Sequence, residues 1–244
     1  MIRFFRKIRY NLMEQNKTGK YLKYAIGEIV LVVIGILIAI SINNWNQERQ
    51  SEKIEHKLLS ELIEALVEDY SKVDNTIRWN KRDQSSCRVI LEHLDRNLLY
   101  HDSLLMHFRQ ANNWSIVMFT KSAFDNAKSY GLYFIKDDST RKLLTQFYEY
   151  QIVWDETNNE RQTQYYYNTV IPELTNLFEF TSAPSLYSKG VRPKDYESLK
   201  TNESYRNILK SNIENRQQEN NWLDMMYINM KKLEEGLQSE LDSE

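Results

Sequence analysis

The side chains with the greatest capacity for chemistry form a short cluster of histidines and acids between residues 92 and 107. Its members are Glu92, His93, Asp95, His101, Asp102 and His107. Imidazole and carboxylate groups bind zinc when at least three of them converge on one ion. Here that would require a helix end and a loop to meet, and polar residues at a solvated corner explain the same cluster. We favour the solvated corner and predict no metal-binding residue.

Motifs of the common enzyme classes are absent from the sequence. It contains no G-x-G-x-x-G, no G-x-x-x-x-G-K-[ST], no G-x-S-x-G and no H-E-x-x-H, and no glutamate stands three residues before a histidine. Cys87 is the single cysteine, which excludes an internal disulfide. A thiol linking two copies is one interpretation of Cys87, but it continues an apolar helical stripe, which favours burial. We therefore predict no catalytic residue, no cofactor-binding residue and no cofactor.

Aromatic residues are concentrated between residues 147 and 167. The group comprises Phe147, Tyr148, Tyr150, Trp154, Tyr165, Tyr166 and Tyr167. Such a group forms either a hydrophobic core or a binding surface, and we favour the core. Three consecutive tyrosines cannot all face inward on one helix, so we expect at least one to be exposed. The sequence does not identify a small-molecule ligand.

The feature that determines the topology of the chain is an unbroken apolar run from Ile29 to Ile42. With its flanks the run extends from Tyr21 to Trp45. At about 1.5 Å per residue, a helix of this length crosses a hydrocarbon core of roughly 30 Å. We predict a single transmembrane anchor helix over 20–46. Tyr21, Tyr24 and Trp45 are its expected interfacial anchors.

Charge asymmetry around this run predicts its orientation. The basic residues before it are Arg3, Arg6, Lys7, Arg9, Lys17, Lys20 and Lys23. Because basic flanks stay in the cytoplasm, we predict a cytoplasmic arm over 1–19 in contact with membrane lipid, and an exported domain over 47–244. The protein would lie in the bacterial inner (plasma) membrane with a periplasmic C-terminal domain. The alternative is a cleaved signal peptide, since Ala39 and Ser41 resemble a cleavage site, but the polar arm is long for that.

Glu28, Gly35 and Ala39 fall on one face of the predicted anchor helix. Gly35 and Ala39 form a small-x-x-x-small pair, which lets another helix approach closely. An acid within the span needs a partner or access to water. Glu28 either belongs to this face or lies near the inner headgroups, and we favour the headgroups slightly. The face is nevertheless our candidate contact with a partner helix, from a second copy or another protein.

The N-terminal part of the chain contains the blocks FFRKIR, NKTGKY, KYAIGEI and INNWN. In these blocks the chain resembles an uncharacterised family of bacterial single-pass membrane proteins, catalogued as a domain of unknown function. The resemblance is close over residues 2–48 and thin beyond residue 50. It implies the topology described above, and it implies no reaction, ligand or catalytic residue.

Glycine and proline usage predicts the class of the exported domain. The chain holds six glycines and three prolines, and neither type occurs between residues 36 and 130. Long stretches without either residue are typical of helices, so we predict an all-α antiparallel bundle with an irregular loop near 181–194. Apolar residues recur at three- and four-residue steps from Ile54 to Ile77. This stripe weakens from Asn80 to Ser86 and resumes at Cys87.

Two classes of function are compatible with these features. The first is a non-enzymatic envelope protein that acts as a scaffold, sensor-like protein or accessory subunit through protein partners. The alternative is an enzyme with an unrecognised site in the bundle. Residues 44–244 carry a net charge of −7, against −2 for the whole chain. An acidic exported domain gives no electrostatic basis for binding nucleic acid.

Overall fold

The computed structural model of the chain describes residue 10, residues 18–180 and residues 191–243. The side chains of residues 18–21 and of residue 24 also lie outside the described part. The chain divides into two compact units, residues 1–56 and residues 57–244. Most of the predicted basic arm, 1–19, falls outside the described residues, so that prediction stays untested.

Helix α1 spans Thr18–Asp95, which is 78 residues. Its first part holds an 18-residue window with a mean hydropathy of 2.8, and none of that window is buried. Apolar side chains are exposed on every side of the helix between Ile29 and Ile42. A helix that is apolar all round matches a lipid environment rather than water. Among the described residues, one helix near the N-terminus is therefore long enough and apolar enough to cross a membrane.

The second unit, residues 57–244, is almost entirely helical within the described residues. Beyond α1 its elements are α2 Leu104–Ala111, α3 Ser122–Tyr130, a 3-10 turn Leu132–Phe134, α4 Asp138–Gln146, a π turn Phe147–Gln151, α5 Ile152–Tyr165, a second π turn Tyr166–Val170, α6 Ile171–Leu177, β1 Phe178–Phe180, β2 Val191–Pro193, α7 Tyr196–Lys200 and α8 Glu203–Asp242. The prediction of an all-α fold is confirmed.

Strands β1 and β2 form a two-stranded antiparallel sheet, in which Phe178 pairs with Pro193 and Phe180 with Val191. The predicted irregular loop, 181–194, lies largely outside the described residues, but its residues 191–193 form β2 rather than loop. Proline is tolerated here because a two-stranded sheet has only edge strands. The sheet is too small to alter the fold class.

Local capping explains where several helices begin and end. The Asp137 carboxylate accepts a hydrogen bond from the Thr140 N–H at 2.7 Å, and Asn202 Oδ1 accepts one from the Tyr205 N–H at 2.8 Å. These side chains satisfy N–H groups that the first helical turn leaves without partners. Gly131, with φ of 106°, ends α3 in a conformation that favours glycine.

Helices α1 and α8 pack against each other in antiparallel directions. Tyr70 on α1 donates a hydrogen bond to Glu234 on α8 at 2.7 Å, and Asn80 donates one to Glu219 at 3.0 Å. Further along α1, Gln84 donates to the Ile213 carbonyl at 3.3 Å. Partner numbers on α8 fall steadily as residue numbers on α1 rise. This antiparallel pair of long helices forms the main packing interface of the predicted bundle.

Apolar side chains of the second unit form two separate clusters. The first includes α1 residues 58–77 and α8 residues 223–237. The second includes α1 residues 87–94 and α8 residues 205–209. On both helices a gap of several residues separates the two clusters. Polar residues of the candidate site occupy these gaps.

Candidate functional site

A layer of buried polar side chains fills the gap between the two apolar clusters. This polar layer comprises Asn80, Asp83, Gln84, Ser86, Asn112, Asp155, Asn159, Arg216, Glu219 and Asn220. Its α1 members coincide with the stretch where the apolar stripe weakens in the sequence. Buried polar groups are costly unless they find partners, so their hydrogen bonds determine what the layer can do.

Two carboxyl groups of the polar layer are held by asparagine side chains. Asn159 donates to Asp155 Oδ2 at 2.8 Å, and Asn80 donates to Glu219 Oε2 at 3.0 Å. The other oxygen of Glu219, Oε1, is buried and has no hydrogen-bond partner within the described residues. Glu219 is thus only half satisfied by its protein neighbours.

Arg216, on helix α8, forms hydrogen bonds with the end of α2 and with the segment that follows it. Its side chain is 2% exposed. The guanidinium donates to the carbonyl of Ala111 at 3.2 Å and to the carbonyl of Asn113. It also contacts Cys87 Sγ at 3.7 Å. Because Trp114 is the next residue after Asn113, these hydrogen bonds from Arg216 also hold Trp114 close to the site.

A cleft of about 200 Å³ opens from the polar layer to the surface. Its lining combines three indoles with the two carboxyl groups, namely Trp114, Trp154, Trp222, Asp155 and Glu219. Trp154 and Trp222 pack with their ring centroids 4.1 Å apart at an interplanar angle of 43°. The indole N–H groups of Trp114 and Trp222 are buried and have no partner among the described residues.

Burial raises the pKa of both cleft carboxyls. The pKa of Asp155 is raised to about 6, chiefly by desolvation and against the opposing hydrogen bond from Asn159. Desolvation raises the pKa of Glu219 to about 7, opposed by the hydrogen bond from Asn80 and assisted by the charge of Asp155. Both groups exchange protons near neutral pH. Carboxyls with such pKa values are capable of proton transfer. If the protein is an enzyme, which is the alternative stated above, these two carboxyls are its candidate acid–base groups.

Helix α5 carries much of the cleft, and its backbone is unusual at both ends. It presents Trp154, Asp155 and Asn158 to the cleft. A π turn precedes it at Phe147–Gln151 and a second follows at Tyr166–Val170. Single π turns inside helices rotate the residues that follow them and occur often at functional sites. The two π turns thus interrupt the regular α-helical repeat before and after α5, the helix that lines the cleft.

The residues predicted for the membrane helix lie in the first unit. Gly35 and Ala39 are exposed, and a Cβ added to Gly35 would meet no atom within 4 Å. Glu28 is partly exposed. Trp45 is exposed, with the Arg49 guanidinium 5.8 Å from its ring centroid. The side chains of Tyr21 and Tyr24 lie outside the described part of the chain. The predicted helix-contact face and interfacial anchors stay predictions.

The histidine cluster is not gathered around one point. His101 Nδ1 lies 2.9 Å from Ser103 Oγ, and His107 Nδ1 lies 3.1 Å from Ser86 Oγ. In the part of the chain that the structure describes, no three His, Cys, Asp or Glu side chains are grouped as metal ligands. The geometry offers no convergent ligand set near these histidines.

Two other sequence predictions concern Cys87 and the consecutive tyrosines. Cys87 is fully buried, as its apolar phase predicted, and burial raises its pKa to about 11. Tyr167 is 64% exposed, and Tyr165 is also exposed. Tyr166 turns inward and donates to the Asn112 carbonyl at 2.9 Å. The expectations of a buried thiol and of at least one exposed tyrosine are confirmed.

Reasoning from the sequence missed the cleft itself. Asp155, Glu219 and Trp222 match no motif and are distributed along the chain. Trp154 belongs to the aromatic group between residues 147 and 167, which by itself does not indicate a cleft. One signal was present in the weakened stripe between Asn80 and Ser86. A polar interruption on a helix that remains continuous indicates a buried polar layer, and such layers often border sites.

The residues that the structure describes define an all-α protein, with one helix long and apolar enough to cross a membrane and a helical domain built around a polar layer. Comparison with known families then places it more closely. Residues 28–160 match a family of unknown function (DUF6090), and the chain belongs to that family. The match includes Trp154 and Asp155 and ends before Glu219. No curated protein and no solved structure matches the chain.

Proposed function

We propose that the protein is a single-pass protein of the bacterial inner (plasma) membrane that holds its helical domain on the periplasmic side. In this proposal it acts without catalysis, as a scaffold, sensor-like protein or accessory subunit working through protein partners. The observation that carries the proposal is the exposed apolar segment of α1, whose mean hydropathy reaches 2.8 with nothing covering it in the described structure. A soluble domain would bury such a segment to remove it from water.

The orientation in this proposal follows from charge. Seven basic residues and one glutamate precede the apolar run and its Glu28, while the first residues after Trp45 are balanced in charge. Retention of basic flanks in the cytoplasm places residues 47–244 outside it. Trp45, exposed and close to the Arg49 guanidinium, suits the outer interface, where amphipathic aromatic rings accumulate.

Reporter fusions test this orientation. Alkaline phosphatase, which is active only outside the cytoplasm, is expected to be active when fused after Arg49 and inactive when fused after Lys17, because only the first junction would be exported. Enzyme activity of whole cells, normalised to the amount of fusion protein, is the measurement. The reverse pattern rejects the orientation. Release of a soluble fragment beginning near Ile42 would instead establish a cleaved signal peptide.

Partners in the membrane are proposed on the face formed by Glu28, Gly35 and Ala39. Small residues one turn apart let two helix backbones approach, and dispersion contacts then stabilise the pair in lipid. The occupant would be a second spanning helix, from another copy of this chain or from a different protein. This proposal rests on the anchor and adds the partner through which the domain would act.

Replacing both Gly35 and Ala39 with leucine is expected to abolish crosslinks formed within the membrane, since two bulky side chains would separate the helices. A photoreactive residue at position 32 followed by electrophoresis of native membranes is the measurement. The added Cβ at Gly35 has free space within the chain, so insertion and folding are expected to persist.

The matched control is Ser41→Leu, another small-to-large change about 140° around the helix from Glu28. It is expected to leave those crosslinks intact. If the double variant retains the crosslinks as well, this face is not the contact and the anchor serves only as a tether.

A further inference from the structure

The cleft between α5 and α8 presents a combination of groups that the membrane anchor does not require. Two indole N–H donors, on Trp114 and Trp222, and one carboxyl oxygen, on Glu219, are buried there without partners in the described residues. Glu219 is 8% exposed and lines the cleft. Unpaired buried polar atoms are destabilising, and several around one cleft indicate groups that a ligand could satisfy.

The unpaired atoms define the hydrogen-bonding character of such a ligand. Indole N–H groups only donate, whereas a carboxylate only accepts and a carboxylic acid does both. A hydroxyl group is able to donate and accept, so a ligand with several hydroxyls matches all of these atoms. Three amide side chains line the same cleft. Asn158 Oδ1 accepts from Arg161 at 3.0 Å and Gln162 Oε1 accepts from Asn215 at 3.3 Å, which leaves the amide N–H groups of Asn158 and Gln162 as donors and Asn215 Oδ1 as an acceptor.

The aromatic lining defines the apolar character of the ligand. Trp154 is 47% exposed although it packs against Trp222, so the cleft presents indole surface to solvent. Rigid aromatic rings bind flat apolar faces with little loss of conformational entropy. A pyranose ring has such a face of C–H groups and a rim of hydroxyls.

Charge and size disfavour the main competing ligand class, an organic cation held in an aromatic cage. Two carboxyls, Asp155 and Glu219, are accompanied by two guanidinium groups, because Arg161 lines the cleft and the charge of Arg216 acts on Glu219. A cation would therefore meet both signs of charge, whereas a neutral ligand is not penalised. A cleft of about 200 Å³ is smaller than the roughly 300–1,000 Å³ of drug-sized pockets, which suits a single ring.

We propose that this cleft is a saccharide-binding site that takes one neutral pyranose ring, stacked on Trp154 and hydrogen-bonded to the carboxyls of Asp155 and Glu219. The site would make the helical domain a binding module for sugars or the sugar ends of glycans. This function goes beyond the membrane-anchored role and does not depend on orientation, because binding is measured on the purified protein.

The experiment uses the full chain in a detergent without a sugar headgroup, such as a polyoxyethylene ether, since maltoside detergents would compete for the site. D-glucose and N-acetyl-D-glucosamine are titrated separately, and tryptophan fluorescence and isothermal calorimetry are recorded. At least one sugar is expected to give a saturable change, with a Kd in the millimolar range or below. No saturable change with either sugar at tens of millimolar overturns the proposal.

Two variants assign binding to the cleft. Trp154→Ala is expected to raise the Kd about tenfold through loss of the aromatic face. Trp79→Ala is its matched control, because Trp79 is 45% exposed and lies outside the cleft lining, and it is expected to leave the Kd unchanged. Equal effects of the two tryptophan variants overturn the assignment to this cleft.

Asp155→Asn provides a second variant that keeps side-chain size and can still accept the hydrogen bond from Asn159. It is expected to raise the Kd about tenfold, because a charged acceptor is replaced by a neutral one. Glu160→Gln, an exposed change on the same helix, is the control and is expected to have no effect.

Saturable binding of 1,5-diaminopentane in place of either sugar would overturn the saccharide assignment and identify a cation site.

Discussion

The free energy of unfolding of the 57–244 unit is expected to fall as the pH rises from about 4 to about 7. The cause is the pair of cleft carboxyls, because burial raises the pKa of Asp155 to about 6 and that of Glu219 to about 7. Burial lowers the pKa of His107, which acts in the opposite direction as a single group. Both groups ionise near pH 4 in the unfolded chain. Between these values the folded state holds protons that the unfolded state has released, so raising the pH favours unfolding.

The expected size of this effect is large for a domain of this kind. One pKa unit corresponds to about 1.4 kcal/mol, so each carboxyl contributes about 3 kcal/mol to the fall. Below pH 4 the trend reverses, since hydrogen bonds from Ser139 and Thr140 lower the pKa of Asp137 to about 2. That group loses its stabilising effect as the pH falls from about 4 to about 2. Stability is therefore expected to be greatest near pH 4.

Urea titrations of the full chain in detergent, at several pH values from 4.5 to 8 and followed by tryptophan fluorescence, measure this dependence. The double variant Asp155→Asn and Glu219→Gln is expected to flatten the curve, because the isosteric amides do not titrate and can accept the same hydrogen bonds. Glu160→Gln is expected to leave the slope unchanged. A wild-type curve that is flat or rises with pH over this interval contradicts the burial of these carboxyls.

Arg216→Met is expected to lower the free energy of unfolding of the same unit by about 2 kcal/mol, because the Asn113 carbonyl loses its charged donor and the Ala111 carbonyl keeps only the donor of Asn212. Arg216 donates to the carbonyls of Ala111 and Asn113. Methionine has similar length and no donor. Denaturant titration at constant pH is the measurement, with the midpoint and the slope both recorded.

Two further variants make this test specific. Arg216→Lys is expected to recover part of the loss, since one ammonium group can reach one of the carbonyls. Arg78→Met removes an exposed arginine whose partners among the described residues, Asp74 and Asn75, are neighbours on its own helix, so a change below about 0.5 kcal/mol is expected. If Arg216→Met is as mild as Arg78→Met, the buried guanidinium does not fasten this segment.

The fold class was predictable from the sequence because its causes are local. Absence of glycine and proline over long stretches indicates helix, and Asp137, Gly131 and Asn202 mark helix ends by their side-chain or backbone chemistry. The short sheet was not predictable, because three-residue strands such as Val191–Pro193 depend on contact with a distant partner. Local sequence carries little information about such a pairing.

The candidate site was largely beyond prediction from the sequence. Its carboxyls, Asp155 and Glu219, lie on different helices, α5 and α8, and meet only after packing. Neither residue carries a local mark of burial, since Asp155 begins a polar run after Trp154 and Glu219 lies among polar residues. The polar stretch of α1 between Asn80 and Ser86 was visible, but its burial depends on the facing residues of α8, such as Arg216. Tertiary packing supplies that information.

The most direct test of the central proposal, an anchored protein with an exported domain, is thiol labelling in intact spheroplasts. Lys17→Cys and Leu99→Cys place reporters before and after the apolar segment of α1, and the native Leu99 side chain is 81% exposed. Cys87 is retained as an internal control, because burial and a pKa of about 11 make it unreactive. A membrane-impermeant maleimide is expected to label Leu99→Cys in intact spheroplasts and Lys17→Cys only after lysis. Labelling of Lys17→Cys in intact spheroplasts, or protection of Leu99→Cys until lysis, would contradict the proposal.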